Sequence, residues 1–276
     1  AGKTNWTTMQ QFSLLQVLVL AVVQGVTEFI PVSSDGHLAL VEPLIWGGSA
    51  PRPNSMDLTI VLHLGTLGSI LVYYRERILR LLGEDRGVLW LIVLGTIPAV
   101  VLVLGCKLLL NDAFEEYLKD VRLAGLMLPV TGAALIWSQR HAGGNRQYRE
   151  LKWTDSVLIG IAQAAAILPG LSRSGSTIAA GLTLGMSRSA AATYSFLLAI
   201  PALAGAGVYE AFKMLKQPEP LSASPRDLAI GAAVSFAVGL AALALLQRVV
   251  ERGRLHYFGW YCVGLGVVVV ALTWRH

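Results

Sequence analysis

Residues 24–37 read QGVTEFIPVSSDGH. They interrupt a long apolar run with a carboxylate, two serines, an aspartate, a glycine and a histidine. Residues 6–27, ahead of Glu28, carry no charge, and residues 38–46 form a second, short apolar piece. Two short arms joined by Pro, Ser and Gly do not make a full span. Irregular backbone at membrane depth survives only where protein or water satisfies its N–H and C=O groups, so the stretch predicts a re-entrant helical hairpin. Polar and ionisable side chains at such depth mark function.

Composition places the chain in a membrane. Of 276 residues, 54% are hydrophobic and only 14% charged, against roughly 25% charged in soluble domains; the mean hydropathy is +0.59. Residues 88–106, 189–209, 228–246 and 257–274 carry no charge at all. About 20 such residues cross a hydrocarbon core, which implies a polytopic helical membrane protein. The net charge of +5 reads as Lys and Arg gathered in cytoplasmic loops, not as a nucleic-acid-binding surface. Cys106 and Cys262 sit in or at the ends of apolar spans and are expected as free thiols. No cleavable signal peptide is read at the start.

Beyond the first hairpin, longer helices are predicted over residues 58–74, 88–110 and 123–138. A polar linker, 139–152, follows, and then the order recurs. Residues 153–168 are apolar, PGLSRSGST at 169–177 is polar, 178–185 is short and apolar, and longer helices are predicted over 189–212, 228–246 and 257–274. An offset of 139 places Gln24 on Gln163, Ser33 on Ser172 and Gly36 on Gly175. An offset of 136 places Val72 and Tyr73 on Val208 and Tyr209, and Gly95 on Gly231. A three-residue difference in the loop near Pro51 reconciles the two offsets. The expected fold is therefore all-α and polytopic: two inverted-topology repeats, each a re-entrant hairpin plus three transmembrane helices, about ten helices with six full spans. It is one membrane domain over residues 1–276, with repeat 1 at about 10–138 and repeat 2 at about 153–274. One set of loops holds twelve Lys and Arg and the other nine, interleaved with acids such as Glu115, Glu116 and Asp120. The richer side is expected to be cytoplasmic, with both termini outside and the two hairpin tips meeting near the midplane.

At the first tip, Gln24 and Glu28 lie four residues apart and share a helix face. A carboxylate in an apolar arm is paired, metal-bound, or braced against its neighbours. Ser33 and Ser34 follow Pro31, where hydroxyls can cap a helix. His37 alone reads as a satisfied interior histidine; with Glu28 and Ser34 it becomes a candidate for nucleophilic or acid–base work. At the second tip Arg173 stands between Ser172 and Ser174, with Thr177 beyond a glycine. Arg offers planar paired donors suited to phosphate. Its counterion is either Asp35 or Glu28 of the first tip, or a bound phosphate. Hydrolytic groups, an Arg and apolar surroundings fit a phosphate-bearing lipid.

QGVTEFIPVSSDGH and PGLSRSGST resemble the two signature motifs of the bacterial undecaprenyl pyrophosphate phosphatases, the bacitracin-resistance family. GTIPA at 95–99 and SFLLAIPA at 195–202 extend the likeness over nearly the whole chain. The resemblance implies removal of the terminal phosphate of C55 isoprenyl pyrophosphate, giving the monophosphate carrier of cell-wall precursors. It implies a divalent cation, Mg²⁺ or Ca²⁺, and a location in the bacterial cytoplasmic membrane with the site opening outward. Bacitracin is then a competitor for the lipid rather than a ligand of the protein. Position by position, Glu28, Ser34, His37 and Arg173 match catalytic residues. Ser33, Ser172, Ser174 and Thr177 match phosphate-binding positions. Glu28, Gln24 and Asp35 are the candidates for metal ligation, although Gln24 replaces a common Glu and Asp35 a common Thr.

The working mechanism has Ser34 attack the terminal phosphorus with His37 as base, or His37 itself as nucleophile. A transporter or flippase built on the same inverted repeats is the alternative, with Glu28 and His37 as a proton relay. A phosphatidate-type lipid phosphatase is disfavoured, since its upstream Lys…Arg-Pro element and its His and Asp after the Arg are missing. Small-residue stretches such as GAAVSFAVGLAA at 231–242 suit close packing within a subunit or in a homodimer.

Overall fold

The computed structural model describes residues 11–46, 55–110, 120–141, 144–216 and 220–274. Among them are eleven α-helices: α1 (Leu14–Thr27), α2 (Ser34–Trp46), α3 (Met56–Tyr73), α4 (Arg75–Leu81), α5 (Arg86–Leu110), α6 (Val121–Ser138), α7 (Trp153–Ala165), α8 (Arg173–Thr183), α9 (Arg188–Lys216), α10 (Pro225–Glu251) and α11 (His256–Thr273). Six of these, α3, α5, α6, α9, α10 and α11, are long and apolar enough to cross a membrane. The only bridged extended residues among those described are Arg146 and Met186.

Helix starts follow their caps. Ser13 accepts from the Gln16 amide and closes a capping box at α1, Asp120 caps α6 through the Arg122 amide, and Ser224 caps α10 ahead of Pro225. The second arm of each hairpin begins earlier than its apolar run predicts, at Ser34 and at Arg173. The reason is a cap repeated in both tips: Gly36 N donates to Ser33 Oγ (3.4 Å) and Gly175 N to Ser172 Oγ (3.1 Å). Ser34, Asp35 and His37, and likewise Arg173, Ser174 and Ser176, therefore sit in first helical turns instead of loops. The connector after α3, expected as a loop, contains the short charged helix α4.

The order of hairpin and three spans recurs in the two halves, and their packing crosses over. Hairpin arm α1 lies along α10, and α7 lies along α5. The closest approaches use glycine, and they match one another. A Cβ on Gly95 would come 2.8 Å from Ser156 Oγ of α7; one on Gly231 would come 2.8 Å from Val17 Cγ1 of α1. The 136 offset takes Gly95 to Gly231, and the 139 offset takes Val17 to Ser156. The stretch 231–242 spends its small residues inside the chain: Ser235 donates to Leu62 O (3.0 Å), Ser69 donates to Phe236 O (2.7 Å), and Gly239 lies against Phe29 and Ser69. Phe29, Ile70, Tyr194, Phe196, Ile178 and Leu182 form the central core beneath the tips.

Cys106 and Cys262 are free thiols. The beginning of the first arm at residues 6–10, the offset-reconciling loop at 47–54, and Lys3, Arg52, Glu115, Glu116, Lys119 and Arg275 lie outside the described residues.

Candidate functional site

The hairpin tips touch. Glu28, Phe29, Ile30, Pro31 and Val32 carry the chain off α1, and Ser33 turns it with φ at +71°. A side-chain-bearing residue pays about 1–2 kcal/mol for this left-handed backbone. Ser33 offsets that cost by its bonds: Oγ accepts from Gly36 N and from Gly170 N of the second tip (3.1 Å), and its carbonyl accepts from His37 N and Nδ1. Gly170 takes φ of +89° against the backbone of Ala124, where a Cβ has no room. Thr131 of α6 staples this turn, donating to Gly170 O and accepting from Ser172 N, both at 2.9 Å.

Glu28 is the centre of the arrangement. Its Oε1 accepts from Arg173 Nη2 at 2.8 Å, which joins the two tips through a buried ion pair. Its Oε2 accepts from Ser34 Oγ (2.9 Å) and from Gln24 Nε2 (3.0 Å), with His63 Nε2 at 3.6 Å. Arg173 uses one edge of its fork on Glu28; Nη1 is buried and bonds no described residue. His63 of α3 points Nδ1 at Thr59 O, 2.8 Å away. A carbonyl can only accept, so Nδ1 carries the proton and Nε2 faces the carboxylate.

These groups line a cavity of about 320 Å³ between the tips and α3, α5 and α9. Its polar lining includes Glu28, Ser34, Asp35, His63, Gln163 and Arg173, with Glu210 of α9; its apolar lining includes Ala99 and Val103 of α5 and Ala202, Leu203 and Ala206 of α9. Anion-binding donors, a hydroxyl resting on a carboxylate, and an apolar wall make this a site for an anionic group on a greasy stem. The volume is at the low end for drug-sized ligands, room for a head group and the start of a chain.

Residues 17–268 match the family described as bacitracin resistance protein BacA. The chain belongs to this family. It is 45% identical to an undecaprenyl-diphosphatase of Rhodopirellula baltica, over 95% of this chain and 99% of that protein. An undecaprenyl-diphosphatase of Corynebacterium efficiens is 37% identical over 96% of this chain and 92% of its own length. One from Methanosphaera stadtmanae is 34% identical, over 94% and 98%.

Within this BacA-family chain the residues singled out by sequence divide into two groups. Glu28, Ser34, Arg173, Ser33, Ser172 and Asp35 line the cavity. Of the two carboxylates considered for Arg173, Glu28 is the one that pairs. Ser174 and Thr177 face the other way, buried between α8 and α9: Ser174 meets Ser172 Oγ at 3.2 Å, and Thr177 meets Ser195 Oγ at 2.6 Å while donating to Arg173 O. They brace the turn that carries Arg173. His37 does not reach Ser34. Its Nδ1 is bonded to Ser33 O (2.7 Å) and its Nε2 to Tyr261 OH (2.8 Å), with the ring stacked on Tyr261 of α11. Sequence reasoning passed over His63, Gln163 and Glu210, which also line the cavity. An ionisable residue inside an otherwise apolar span was the available signal for His63 and Glu210, and pairing with Gln24 across the repeat was the signal for Gln163.

The implied divalent cation finds no resident cage here. Among the described residues no three His, Cys, Asp or Glu side chains converge on one point. Both Glu28 oxygens are engaged by protein donors, with an arginine at 2.8 Å that repels a cation. Gln24 turns its amide nitrogen to Glu28, leaving Oε1 buried without a partner. Asp35 is the exposed one of the three candidates, and Glu210 of α9 is a further carboxylate lining the cavity.

Proposed function

We propose that this protein is an undecaprenyl-diphosphatase, which hydrolyses the terminal phosphate of a C55 polyprenyl pyrophosphate and returns the monophosphate carrier to cell-wall synthesis. The observation that carries the reading is Glu28, held between Arg173 and Ser34 in the polar lining of a lipid-compatible cavity. Family membership supplies the class of chemistry.

In this reading Arg173 keeps Nη2 on Glu28 and gives Nη1 to a terminal phosphoryl oxygen. The α8 N-terminus and Ser172 add positive potential and a hydroxyl on the same side. Ser34 Oγ attacks the terminal phosphorus and passes its proton to Glu28 Oε2, to which it already donates. The bond from phosphorus to the bridging oxygen breaks, and the polyprenyl monophosphate leaves along the apolar wall. His37 acts through the backbone, tying the Ser33 carbonyl to α11 and so fixing the angle of the tip. If a divalent cation takes part, Asp35 is the residue that would help to hold it, and the cation would supply neutralising charge to the pyrophosphate.

The orientation goes with the reading: a bacterial cytoplasmic membrane, the charge-rich loops inside, the cavity and both termini outside. Bacitracin then competes for the lipid and has no site on the protein. The test is phosphate release by purified protein from detergent-solubilised polyprenyl pyrophosphate with no membrane and no gradient, with and without chelator. Release that depends on Ser34 supports the enzyme. Substrate movement across vesicles without release supports the transporter.

A further inference from the structure

We propose that Gln163 seats the water that hydrolyses phosphorylated Ser34, an inference that rests on the Ser34 reading above. Gln163 belongs to the last turn of α7 and is only 5% exposed, yet neither its Nε2 nor its Oε1 bonds a described residue. An amide sealed from water with both ends idle costs on the order of 1–3 kcal/mol, so such a group is kept for a partner. The side chain lines the same cavity as Ser34 and Arg173, from the opposite hairpin.

The chemistry of the two ends names the partner. An ionised phosphate accepts and does not donate. It satisfies Nε2, as it satisfies the idle Nη1 of Arg173, but it has nothing for Oε1. A water does. Held by Oε1, with the phosphoryl group on Nε2, a water is fixed relative to phosphorus by a single planar side chain. Gln24, the counterpart in the first repeat, cannot do this, because its Nε2 is spent on Glu28. The two halves have put the same residue to different uses.

The step balances. The water oxygen bonds phosphorus, and the bond from phosphorus to Ser34 Oγ breaks with its electrons going to Oγ. Oγ recovers the proton that Glu28 took in the first step, and both protons of the water leave on inorganic phosphate, which returns Glu28 to its carboxylate form. Gln163 gains and loses none; it is a positioning residue.

Rapid-quench kinetics with substrate labelled in its terminal phosphate test this. In Gln163→Leu the first-turnover burst of polyprenyl monophosphate is expected to stay within a few-fold of wild type. Steady-state turnover falls roughly ten- to hundredfold, and acid-stable phosphate accumulates on Ser34. Gln163→Glu, which keeps the length and places a negative charge beside the phosphate, gives the same accumulation and serves where the Leu variant does not fold. Equal slowing of burst and steady state with no trapped phosphate overturns the inference, as does a wild-type steady-state rate. Turnover by Ser34→Ala, with no phosphoserine in wild type, overturns the Ser34 reading itself and is a separate result.

Discussion

Replacing Arg173 separates the two tasks of its guanidinium. One edge holds Glu28 at 2.8 Å, and the other, Nη1, is buried and idle. Lysine keeps the charge but has one compact ammonium to divide between carboxylate and phosphate. A hydrogen bond to a charged group is worth about 1.5–3 kcal/mol, so kcat/KM of Arg173→Lys should fall roughly ten- to hundredfold. Alanine removes both. It leaves a buried carboxylate unpaired, which costs about 3–5 kcal/mol, and turnover should be lost together with thermal stability. Adding Glu28→Gln removes the orphaned charge, so the double variant should regain much of the lost stability and none of the activity. Phosphate release and thermal unfolding in one detergent measure both arms. A lysine variant at the wild-type rate would refute the two-edged role, and a double variant with the summed losses of the two singles would refute the pairing.

Three further outcomes are expected. Tyr261→Phe frees His37 Nε2 and should lower kcat less than tenfold with an unchanged pH–rate profile; a displaced acidic limb would return His37 to the chemistry. Burial works to raise the Asp155 pKa, but the Lys152 amide and the Arg146 guanidinium at 2.6 Å hold its carboxyl below the usual range. That stabilising contribution is therefore intact at neutral pH and lost as pH falls through the lowered folded value, and Asp155→Asn should flatten the acid side of the stability curve by about 1–2 kcal/mol. Because the cavity has room for only a head group and the start of a chain, prenyl pyrophosphates much shorter than C55 should be hydrolysed with similar kcat; a steep loss with shortening would place tail recognition elsewhere on the protein.

The fold was legible where the sequence carries strong physical contrast. Charge-free windows located the spans, and the two polar tips located the hairpins. The Ser33 and Ser172 caps and the Gly95 and Gly231 contacts occur in the structure at the positions paired by the repeat offsets. The Glu28–Arg173 pair was foreseen as one of several counterion choices; only three-dimensional placement selected it over Asp35. His37 stays apart from Ser34 because both its ring nitrogens are tied, Nδ1 to Ser33 O and Nε2 to Tyr261 OH of α11; helix spacing does not reveal such a tertiary contact, since residues three apart are ordinarily neighbours on one face. His63 was missed because nothing local says which face of α3 meets the first tip. Hairpin onset was misplaced because the reading followed apolar runs, whereas the serine caps begin the helices several residues sooner.

The crossed packing of α1 on α10 and α7 on α5 has a consequence for biogenesis. The first arm is synthesised well ahead of the surface that covers it, which lies some two hundred residues later. Until α10 is inserted, Gln24 and Glu28 stand on an arm without its long partner, and until α8 is made Glu28 has no arginine. Contacts so distant in sequence form slowly and late. Neither half of the chain alone carries the Glu28–Arg173 pair; co-expressed as fragments, the two would have to find each other in the bilayer before that pair could form.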